Sequence, residues 1–454
     1  MPEKQKPFAD GDLAHVEGIL KCVRDGLCHR CGACVGFCPA GTFALQDGYP
    51  VQAGECVRCG TCVKGCSGLA VDYPALGRQV YGEGGYEFGP PMGPVREVWL
   101  AAAADAAVRR RGASGGAITQ LLLHWLETGK IKGALVVVED PDHPARGKGL
   151  IARTHEDILR SAQSRYTTAP SLAALREIRA EEGPFAVVGL PCQIHALRQR
   201  QASDARWRAR VPYTVGLFCH YNLPWESSKL VSSMLAPKGQ RLAHANFRAR
   251  DERGWPENSL EFVFTDGSRW RSPYGPAQTF NVMSRVSPLG RCLQCLDATA
   301  ELADFGVGDP WIRNAAGGWK YPDSDGWSVL VAHTAQGEQL LREAVAAGAL
   351  TGRTIPPEEV ERGQRSMLVE KKERTAFRLR LRRALGLPVP RYPMPLPATS
   401  PAQRRKELCF WFTRLALVAP GVQRWLLRMG FSPLGGWLVR RRMARRNRAA
   451  TKAR

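Results

Sequence analysis

Eight of the fourteen cysteines stand in two runs of the same spacing, and thiolates at that spacing bind iron–sulfur clusters. Each run reads C-x2-C-x2-C-x3-C. The first run comprises Cys28, Cys31, Cys34 and Cys38. The second run comprises Cys56, Cys59, Cys62 and Cys66. Zinc sites usually take their ligands as two separated pairs, so a pair of zinc knuckles or a disulfide framework fits this pattern less well.

In such a run, three thiolates bind one [4Fe-4S] cluster and the fourth reaches the other cluster. The spacing therefore predicts two clusters. The predicted ligands of cluster one are Cys28, Cys31, Cys34 and Cys66. The predicted ligands of cluster two are Cys56, Cys59, Cys62 and Cys38. Gly32 and Gly60 occupy equivalent places in the two runs, where a tight loop turns its amides towards the cluster sulfides. The pattern indicates a protein that transfers electrons.

Four further cysteines stand near the ends of predicted elements between residues 95 and 336. They are Cys192, Cys219, Cys292 and Cys295. The carboxyl ends of strands are where open α/β sheets bind their ligands, so these residues could hold a third [4Fe-4S] cluster. The residues alone leave alternatives open, because free cysteines are often buried as small hydrophobic residues and a C-x2-C pair also occurs in redox dithiols. Cys22 and Cys409 have no predicted role.

The size and composition predict a globular protein of two or three domains. The chain has 454 residues, of which 44% are hydrophobic and 23% are charged. The N-terminus is charged and lacks the apolar core of a signal peptide, and no stretch reaches the roughly 18–20 apolar residues of a spanning helix. We therefore expect a cytoplasmic location, where a reducing environment keeps the cysteines available for metal.

Positive charge is concentrated at the C-terminal end. The net charge is +22, and residues 404–454 contain fourteen Lys or Arg residues and one acid, Glu407. Aromatic residues lie among these charges, as in a helix at a membrane interface. We expect this segment to bind a redox partner protein or to contact the inner face of the membrane peripherally, and packing on the protein's own surface is the alternative. Nucleic acid is not an expected partner.

The sequence predicts four regions along the chain. Residues 1–74 are predicted to form a two-cluster ferredoxin-like domain of the α+β type, followed by an extended connector over 74–94 that is rich in Gly and Pro. Residues 95–336 alternate strands with helices, which predicts a mostly parallel α/β domain. Residues 337–400 are predicted to be helical and to end in a proline-rich linker. Residues 401–454 form the basic amphipathic tail.

Segments of the α/β region, in order, resemble the beta-subunit family of coenzyme F-420-reducing hydrogenases and dehydrogenases. They are SGGAITQLLLHWLETGKIKGALVV, SAQSRY, VVGLPCQIHALR, VGLFCHYNLPWE, RCLQCLDATAELADFGVGDPW and GWSVLVAHT. The resemblance extends from residue 20 to about residue 335. It implies FAD bound in the α/β domain and an N-terminal two-cluster ferredoxin module. It also implies that Cys192, Cys219, Cys292 and Cys295 hold a further [4Fe-4S] cluster near the flavin.

Two segments are expected to contact FAD, the first at its phosphates and the second, through Arg165 and Tyr166, at its phosphates and ring. Ser114, Gly115 and Gly116 precede a predicted helix, whose N-terminal amides and positive dipole suit a pyrophosphate. The family's usual Ser-Lys-Tyr reads Ser164, Arg165 and Tyr166 here, which keeps a cation but not the lysine. No G-x-G-x-x-G motif follows a predicted strand, so the sequence does not support a Rossmann-type NAD site.

Other polar residues near the second cysteine group are candidates for the flavin site. Gln193 directly follows Cys192 and is expected to hydrogen-bond an edge of the flavin ring. Asp297, Glu301 and Asp309 follow the C-x2-C pair, and either bind ribose or cap turns.

Together these features predict an iron–sulfur flavoprotein oxidoreductase, in which FAD exchanges a hydride and the clusters pass single electrons. Coenzyme F-420 or reduced ferredoxin is the expected redox partner. One alternative is a non-catalytic electron-transfer subunit that serves a partner enzyme. Another is a ferredoxin-dependent reductase of an organic substrate, as in the chlorophyll pathway. The sequence identifies neither the terminal substrate nor a catalytic proton donor.

Overall fold

The computed structural model describes residues 15–250, 254–256, 258–275, 279–280, 282–284, 288–416, 420–432, 434–438 and 441. Its helices are α1 (Val16–Arg24), α2 (Ala33–Gly36), α3 (Thr61–Lys64), α4 (Tyr73–Tyr81), α5 (Ala106–Arg111), α6 (Ala117–Glu127), α7 (His155–Arg160), α8 (Pro191–Ser203), α9 (Ala205–Arg210), α10 (Trp225–Leu235), α11 (Ala335–Ala346), α12 (Pro357–Val369), α13 (Thr375–Ala384), α14 (Pro401–Ala416) and α15 (Pro420–Phe431). The ends of the chain, residues 1–14 and 442–454, lie outside the described residues.

The strands form a hairpin, a small sheet and a large sheet. They are β1 (Phe43–Gln46), β2 (Tyr49–Gln52), β3 (Glu97–Ala103), β4 (Ala134–Asp140), β5 (His143–Ala152), β6 (Ala186–Gly189), β7 (Tyr213–Leu217), β8 (Leu242–Ala249), β9 (Ser259–Phe264), β10 (Arg269–Arg271), β11 (Phe305–Gly308), β12 (Ser328–Ala332) and β13 (Leu350–Thr354). Two 3₁₀ segments, Ser171–Ile178 and Gly290–Gln294, and a π-helical segment, Glu370–Arg374, are also present. Residues 279–280, 282–284 and 434–438 are helical too.

The N-terminal segment, residues 15–81, consists of short helices and one hairpin. β1 and β2 pair antiparallel, and the residues between them, Asp47 and Gly48, have φ values of +50° and +77°, as a type I′ turn requires. Ile19 of α1 and Phe43 of β1 are buried against Cys38 and Cys62. The small core of this segment is therefore built partly from the predicted cluster ligands.

Residues 74–94 are not a fully extended connector, because they begin inside helix α4. Asp72 caps this helix by accepting a hydrogen bond from the Ala75 amide at 3.0 Å, and Pro74 lies in the first turn, where its missing N–H has no cost. Tyr73 and Leu76 are buried. The Gly- and Pro-rich composition correctly predicts irregular structure after Gly82, but it does not predict the helix before Gly82.

The large sheet contains eight strands in the order β13-β3-β12-β11-β7-β6-β4-β5. Its centre, β11, β7, β6 and β4, is parallel, whereas the remaining pairings are antiparallel. The expected parallel α/β sheet is thus confirmed for the central block, and the whole sheet is mixed. Residues 337–400 are not purely helical, because β13 forms an edge strand of this sheet beside β3.

Alternate residues of the central strands belong to two separate cores. Leu135 and Val187 pack on one face with Leu197 of α8, whereas Ala134 and Ala186 pack on the other face with residues of α6. Strands that are buried on both faces read as continuous apolar runs, which explains ALVVV and AVV in the sequence. Helices cover both faces and leave the carboxyl edge of the parallel block for loops.

The predicted tail is partly built into the body of the protein. The three-stranded sheet β10-β9-β8 shares a hydrophobic core with Leu427 and Phe431 of α15, both of which are buried. Glu407 of α14 is fully buried and accepts hydrogen bonds from Arg374 and Arg378. Removal of the chain after Pro401 would therefore expose an apolar core and leave two arginines without their carboxylate. Within the described residues, no helix combines the length and the apolarity that crossing a bilayer requires.

The Ser-Gly-Gly segment before α6 lies against two strands of the large sheet. The Gly115 carbonyl accepts a hydrogen bond from the Ala103 amide at 2.8 Å. A Cβ atom at Gly115 would lie 2.7 Å from the Ser328 amide nitrogen and 2.9 Å from the Ala101 carbonyl oxygen. Real Cβ atoms do not approach backbone so closely, so this position requires glycine for packing.

We predict that Gly115→Val lowers the free energy of unfolding by about 2 kcal/mol or more, because the side chain forces β3 and β12 apart. Thermal unfolding followed by circular dichroism measures the loss. Gly89→Val is the matched control, since a Cβ at Gly89 meets no atom within 4 Å. Equal melting temperatures for the two variants would contradict the packing role.

Candidate functional site

A cavity of about 640 Å³ opens at the carboxyl edge of the parallel block. Gly189 at the end of β6, Leu217 at the end of β7 and Gly308 at the end of β11 line it. Open α/β sheets bind their ligands at this edge, and the volume is that of a cofactor site.

The N-terminus of α6 points into this cavity. Gly116 precedes the helix with φ +70°, and no side chain caps the free amides of the first turn. Gly116, Ala117, Ile118 and Thr119 all line the cavity. Free amides and the positive end of the helix dipole favour an anion such as a phosphate.

Most of the residues predicted to bind flavin meet at this cavity. The lining includes Ser114, Gly116, Ser164, Arg165, Tyr166 and Gln193. Gly115 does not line it, because its Cα faces the strands. The expected phosphate cradle is therefore reduced to Gly116 and the first turn of α6.

Two of the lining side chains already have protein partners. The Ser114 hydroxyl donates to the Trp327 carbonyl. Gln193 Oε1 accepts from the Leu190 amide at 2.7 Å, and its Nε2 donates to Ser171 Oγ at 2.7 Å. Gln193 thus fixes the start of α8, and its amide group is not left for a flavin ring edge, as the sequence had suggested.

A buried arginine forms part of the cavity wall that sequence reasoning missed. Arg248 of β8 donates from Nη1 to Asp309 Oδ2 at 2.9 Å and to Tyr166 Oη at 3.1 Å. Burial opposes its charge, yet Asp309 and Tyr166 raise the pKa of Arg248 above its ordinary value. Asp309 is therefore an ion-pair partner as well as a loop residue. In the sequence, Arg248 is only an arginine within a strand, and such arginines usually lie on the surface.

The predicted cation, Arg165, has weaker contacts than Arg248. Its Nη1 donates to the Ala245 carbonyl at 2.8 Å and lies 3.3 Å from Glu139 Oε2. Burial lowers the pKa of Arg165, although Glu139 opposes this change. Arg165 lines the cavity together with Arg248 and Arg313, so the cavity wall carries three arginine side chains.

Aromatic rings surround part of the cavity. Trp311 and Trp319 line it with ring centroids 5.5 Å apart, and Trp255 stacks on Trp311 at 5.7 Å. Arg313 lies over the Trp319 ring at 4.3 Å. Flat aromatic walls beside cationic groups suit a planar, anionic ligand.

The predicted ligands of cluster one, here called set one (Cys28, Cys31, Cys34 and Cys66), lie together. Burial raises the pKa of Cys34 well above its ordinary value, and the sulfurs of Cys28, Cys31 and Cys66 raise it further. The Arg30 amide donates to Cys28 Sγ at 3.3 Å. Cys22, which has no predicted role, lies 3.9 Å from Cys66 Sγ and hydrogen-bonds to it.

The predicted ligands of cluster two, here called set two (Cys38, Cys56, Cys59 and Cys62), line one small cavity. Burial raises the pKa of Cys62 to about 12, and the other three sulfurs add to the rise. The Arg58 amide donates to Cys56 Sγ at 3.4 Å, which repeats the Arg30–Cys28 contact of set one. Arg30 and Arg58 both have positive φ, so the two loops share their backbone as well as their spacing.

The α/β-region cysteines, here called set three (Cys192, Cys219, Cys292 and Cys295), also converge. Burial raises the pKa of Cys192 well above its ordinary value. The nearby sulfurs of Cys31, Cys292, Cys295 and Cys219 raise it further. Lys371 is buried beside this set, donates to the Cys292 carbonyl at 3.0 Å and lowers the pKa of Cys219 and Cys292 against the effect of burial. Cys219 lines the large cavity.

The three sets follow one another towards the large cavity. Cys62 of set two is near enough to Cys34 of set one to raise the pKa of Cys34. The Ser67 hydroxyl, next to Cys66, donates to the Cys192 carbonyl at 2.8 Å. Among the described residues, no three His, Cys, Asp or Glu side chains converge closely enough to hold a single metal ion. Ligation by any set stays a prediction.

Asp297 and Glu301 have structural partners away from the cavity. Asp297 Oδ2 lies 2.9 Å from His195 Nε2, and both side chains are buried. Glu301 is fully buried, and both its oxygens accept from Lys372 Nζ, at 2.9 and 3.0 Å. Burial raises the pKa of Glu301 to about 7, helped by Asp297 and opposed by Lys372. These contacts do not support a ribose-binding role for either residue.

Comparison with known proteins identifies the family. Residues 98–176 match the N-terminal part of the coenzyme F420 hydrogenase/dehydrogenase beta subunit, and residues 183–358 match its C-terminal part. The chain is 28% identical over 312 residues to the coenzyme F420 hydrogenase subunit beta of Methanosarcina barkeri, covering 66% of this chain and 96% of the relative. It is 26% identical over 310 residues to the corresponding subunit of Methanococcus voltae, covering 66% and 99%.

Two further matches have other molecular contexts. The coenzyme F420-dependent sulfite reductase of Methanocaldococcus jannaschii is 27% identical over 334 residues, which are 70% of this chain and 46% of that protein. A chain of the F420-reducing [NiFe] hydrogenase complex from Methanosarcina barkeri, solved as a xenon derivative, superposes with a TM-score of 0.52 at 25% identity, covering 67% of this chain and 98% of that one. The chain belongs to the coenzyme F420 hydrogenase/dehydrogenase beta-subunit family.

We predict that Glu301→Gln changes how stability depends on pH. Because the pKa of Glu301 is raised from 4.5 to about 7 on folding, the folded protein holds a proton that the unfolded chain has lost in this range. Wild-type stability therefore falls as pH rises from about 4.5 to 7, by up to about 3 kcal/mol relative to the glutamine variant. Denaturant unfolding at a series of pH values measures this difference.

Glu83→Gln is the control for this pH series, because the Glu83 side chain is 89% exposed. Its stability should follow the wild type at every pH. The wild type and the Glu301→Gln variant are compared by their free energies of unfolding. If the difference between them stays constant between about pH 4.5 and 7, Glu301 does not titrate in this range.

Proposed function

We propose that this chain is an F420-linked oxidoreductase subunit that binds FAD in the large cavity and three [4Fe-4S] clusters at the three cysteine sets. The main support is the spatial order of the cysteine sets. Set two lies next to set one, set one lies next to set three, and Cys219 of set three lines the cavity. Bound FAD would supply exchange between hydride and single electrons, and bound clusters would supply one-electron transfer. The relatives' names supply the link to F420.

Set one and set two fit cubane clusters through their donors and their surroundings. All their ligating atoms are thiols, and amides of Arg30, Thr42 and Arg58 donate to three of these sulfurs. Such N–H···S bonds stabilise a cluster and tune its potential. For set three, buried Lys371 supplies a positive charge that offsets thiolate charge at the cavity wall.

FAD fits the cavity through the same kind of reasoning. The uncapped first turn of α6 would receive the pyrophosphate, with Arg165 and Arg248 in the same wall. The wall rings Trp311 and Trp319 offer faces for a planar ring system. A protein that only passes electrons between partners would not need a cavity of this volume and lining, so the cavity favours the enzyme reading over the non-catalytic subunit.

We predict about twelve irons per chain in anaerobically purified protein, since each [4Fe-4S] cluster contributes four. Cys292→Ser combined with Cys295→Ser should lower the content to about eight and leave the spectroscopic signals of the other two clusters. Cys409→Ser, at an exposed cysteine, is the control and should keep the full content. About eight irons in the unmutated protein would remove the third cluster from the proposal.

We predict that Thr119→Asp loses FAD whereas Thr119→Asn retains it. Thr119 is the third residue of α6 and lines the cavity, so an aspartate there would repel a pyrophosphate. The repulsion should weaken FAD binding by about tenfold or more. Because a negative charge in the first helical turn favours the helix, the two variants should fold alike. Flavin released from equal amounts of folded protein measures the effect. Equal FAD content in the two variants would place the phosphates elsewhere.

Anaerobic rapid mixing tests the reaction. With reduced F420 as donor, the flavin should bleach first and the cluster absorbance afterwards. In the Cys292→Ser, Cys295→Ser protein, the flavin should still bleach, but the clusters of sets one and two should follow much more slowly. If reduced ferredoxin bleaches the flavin but reduced F420 does not, the result would favour the ferredoxin-dependent reductase. Protein with clusters and no flavin would favour the electron-transfer subunit.

A further inference from the structure

The exposed apolar side chains of the described residues are concentrated in α14, α15 and the short helical segment 434–438 that follows. Ten large hydrophobic side chains are exposed among the described residues, and seven of them lie between residues 408 and 438. These seven, here called the apolar C-terminal surface, are Leu408, Phe412, Val422, Trp425, Leu434, Trp437 and Leu438. Phe412 is 68% exposed and Trp425 is 60% exposed, which is unusual for such large rings.

The helices that carry this surface are anchored by their other faces. Glu407 of α14 is fully buried between Arg374 and Arg378. Leu427 and Phe431 of α15 are buried against the small sheet, where Phe431 meets the Trp270 ring edge-on at 5.7 Å. The exposed side chains are therefore held outward by the fold.

Cationic side chains alternate with these apolar ones on the exposed faces. On α14, Arg405, Leu408 and Phe412 are exposed at helical spacing. On α15, the exposed residues Val422 and Trp425 lie beside Arg424 and Arg428, which are exposed too. The sequence from 404 to 454 has fourteen basic residues, and its one acid is the buried Glu407.

We propose that this apolar C-terminal surface binds an anionic lipid bilayer from one side. Tryptophan and phenylalanine rings enter the boundary between headgroups and acyl chains, while neighbouring arginines contact lipid phosphates. The exposed faces contain both components and no acid. An acidic protein partner would need the charges but not seven exposed apolar side chains, so the chemistry of the surface favours lipid.

Vesicle flotation of the full-length holoprotein tests the proposal. The probes are phosphatidylcholine vesicles with and without about 30% phosphatidylglycerol. The protein should float with the anionic vesicles and remain below with the neutral ones. Because Debye screening is strong at high salt, about 0.5 M NaCl should release much of it. Failure to float with anionic vesicles at low salt would overturn the proposal, even if an acidic ferredoxin binds the protein.

Paired variants separate the apolar from the charged contribution. Phe412→Ser with Trp425→Ser should reduce binding at least about tenfold, because two rings no longer enter the bilayer. Arg424→Gln with Arg428→Gln should reduce binding to anionic vesicles by a similar factor. The control is Leu385→Ser with Leu387→Ser, which removes exposed apolar side chains outside this surface. Circular dichroism and iron content verify folding. If the control and the first pair float equally, the surface is not the lipid-binding site.

Discussion

The junction between the loop after Cys66 and the start of α8 determines how the cysteine sets lie relative to one another. The Ser67 hydroxyl donates to the Cys192 carbonyl, and the Arg291 guanidinium donates to the carbonyls of Ser67 and Gly68 at 2.8 and 3.1 Å. Arg291 is almost fully buried, so breaking these bonds would leave a charge without partners in the interior, which is strongly destabilising. Because Arg291 directly precedes Cys292, one side chain fixes set three against the loop that carries a member of set one.

Burial of the thiols affects how readily these cysteines lose their protons to bind metal. Burial raises the pKa of Cys28 and of Cys31 to about 12, so without metal both are protonated near neutral pH. Cys66 is an exception, because a hydrogen bond from Cys22 lowers its pKa to about 7 despite burial. Binding of metal to these sets must therefore release protons, and Cys66 is the member of set one that is most readily deprotonated. Cys22 thus acts on the proposed site without belonging to the predicted ligands.

The sequence predicted those parts of the protein that depend on local spacing. The cysteine runs, the glycine before α6 and the apolar runs of the central strands each follow from a short pattern, and the family is confirmed. The role of Gly115 was misjudged, because its neighbours Ser328 and Ala101 are distant in sequence. Arg248 was missed for the same reason, since only folding brings Asp309 to it. Patterns report one element at a time, whereas these sites are made by pairs of elements.

The charged network under the C-terminal helices connects the exposed end of the protein with its interior. Arg378 donates to Glu407 of α14 and also to the Leu293 carbonyl, between the two cysteines of the C-x2-C pair. Glu370 accepts from Tyr221 and from Arg374, and directly precedes Lys371, which donates to the Cys292 carbonyl. Although burial opposes its ionisation, His220 and the two arginines lower the pKa of Glu370 to about 2, so the network stays charged at neutral pH. Helix α14, which carries part of the apolar C-terminal surface, therefore rests on the same buried charges that border set three.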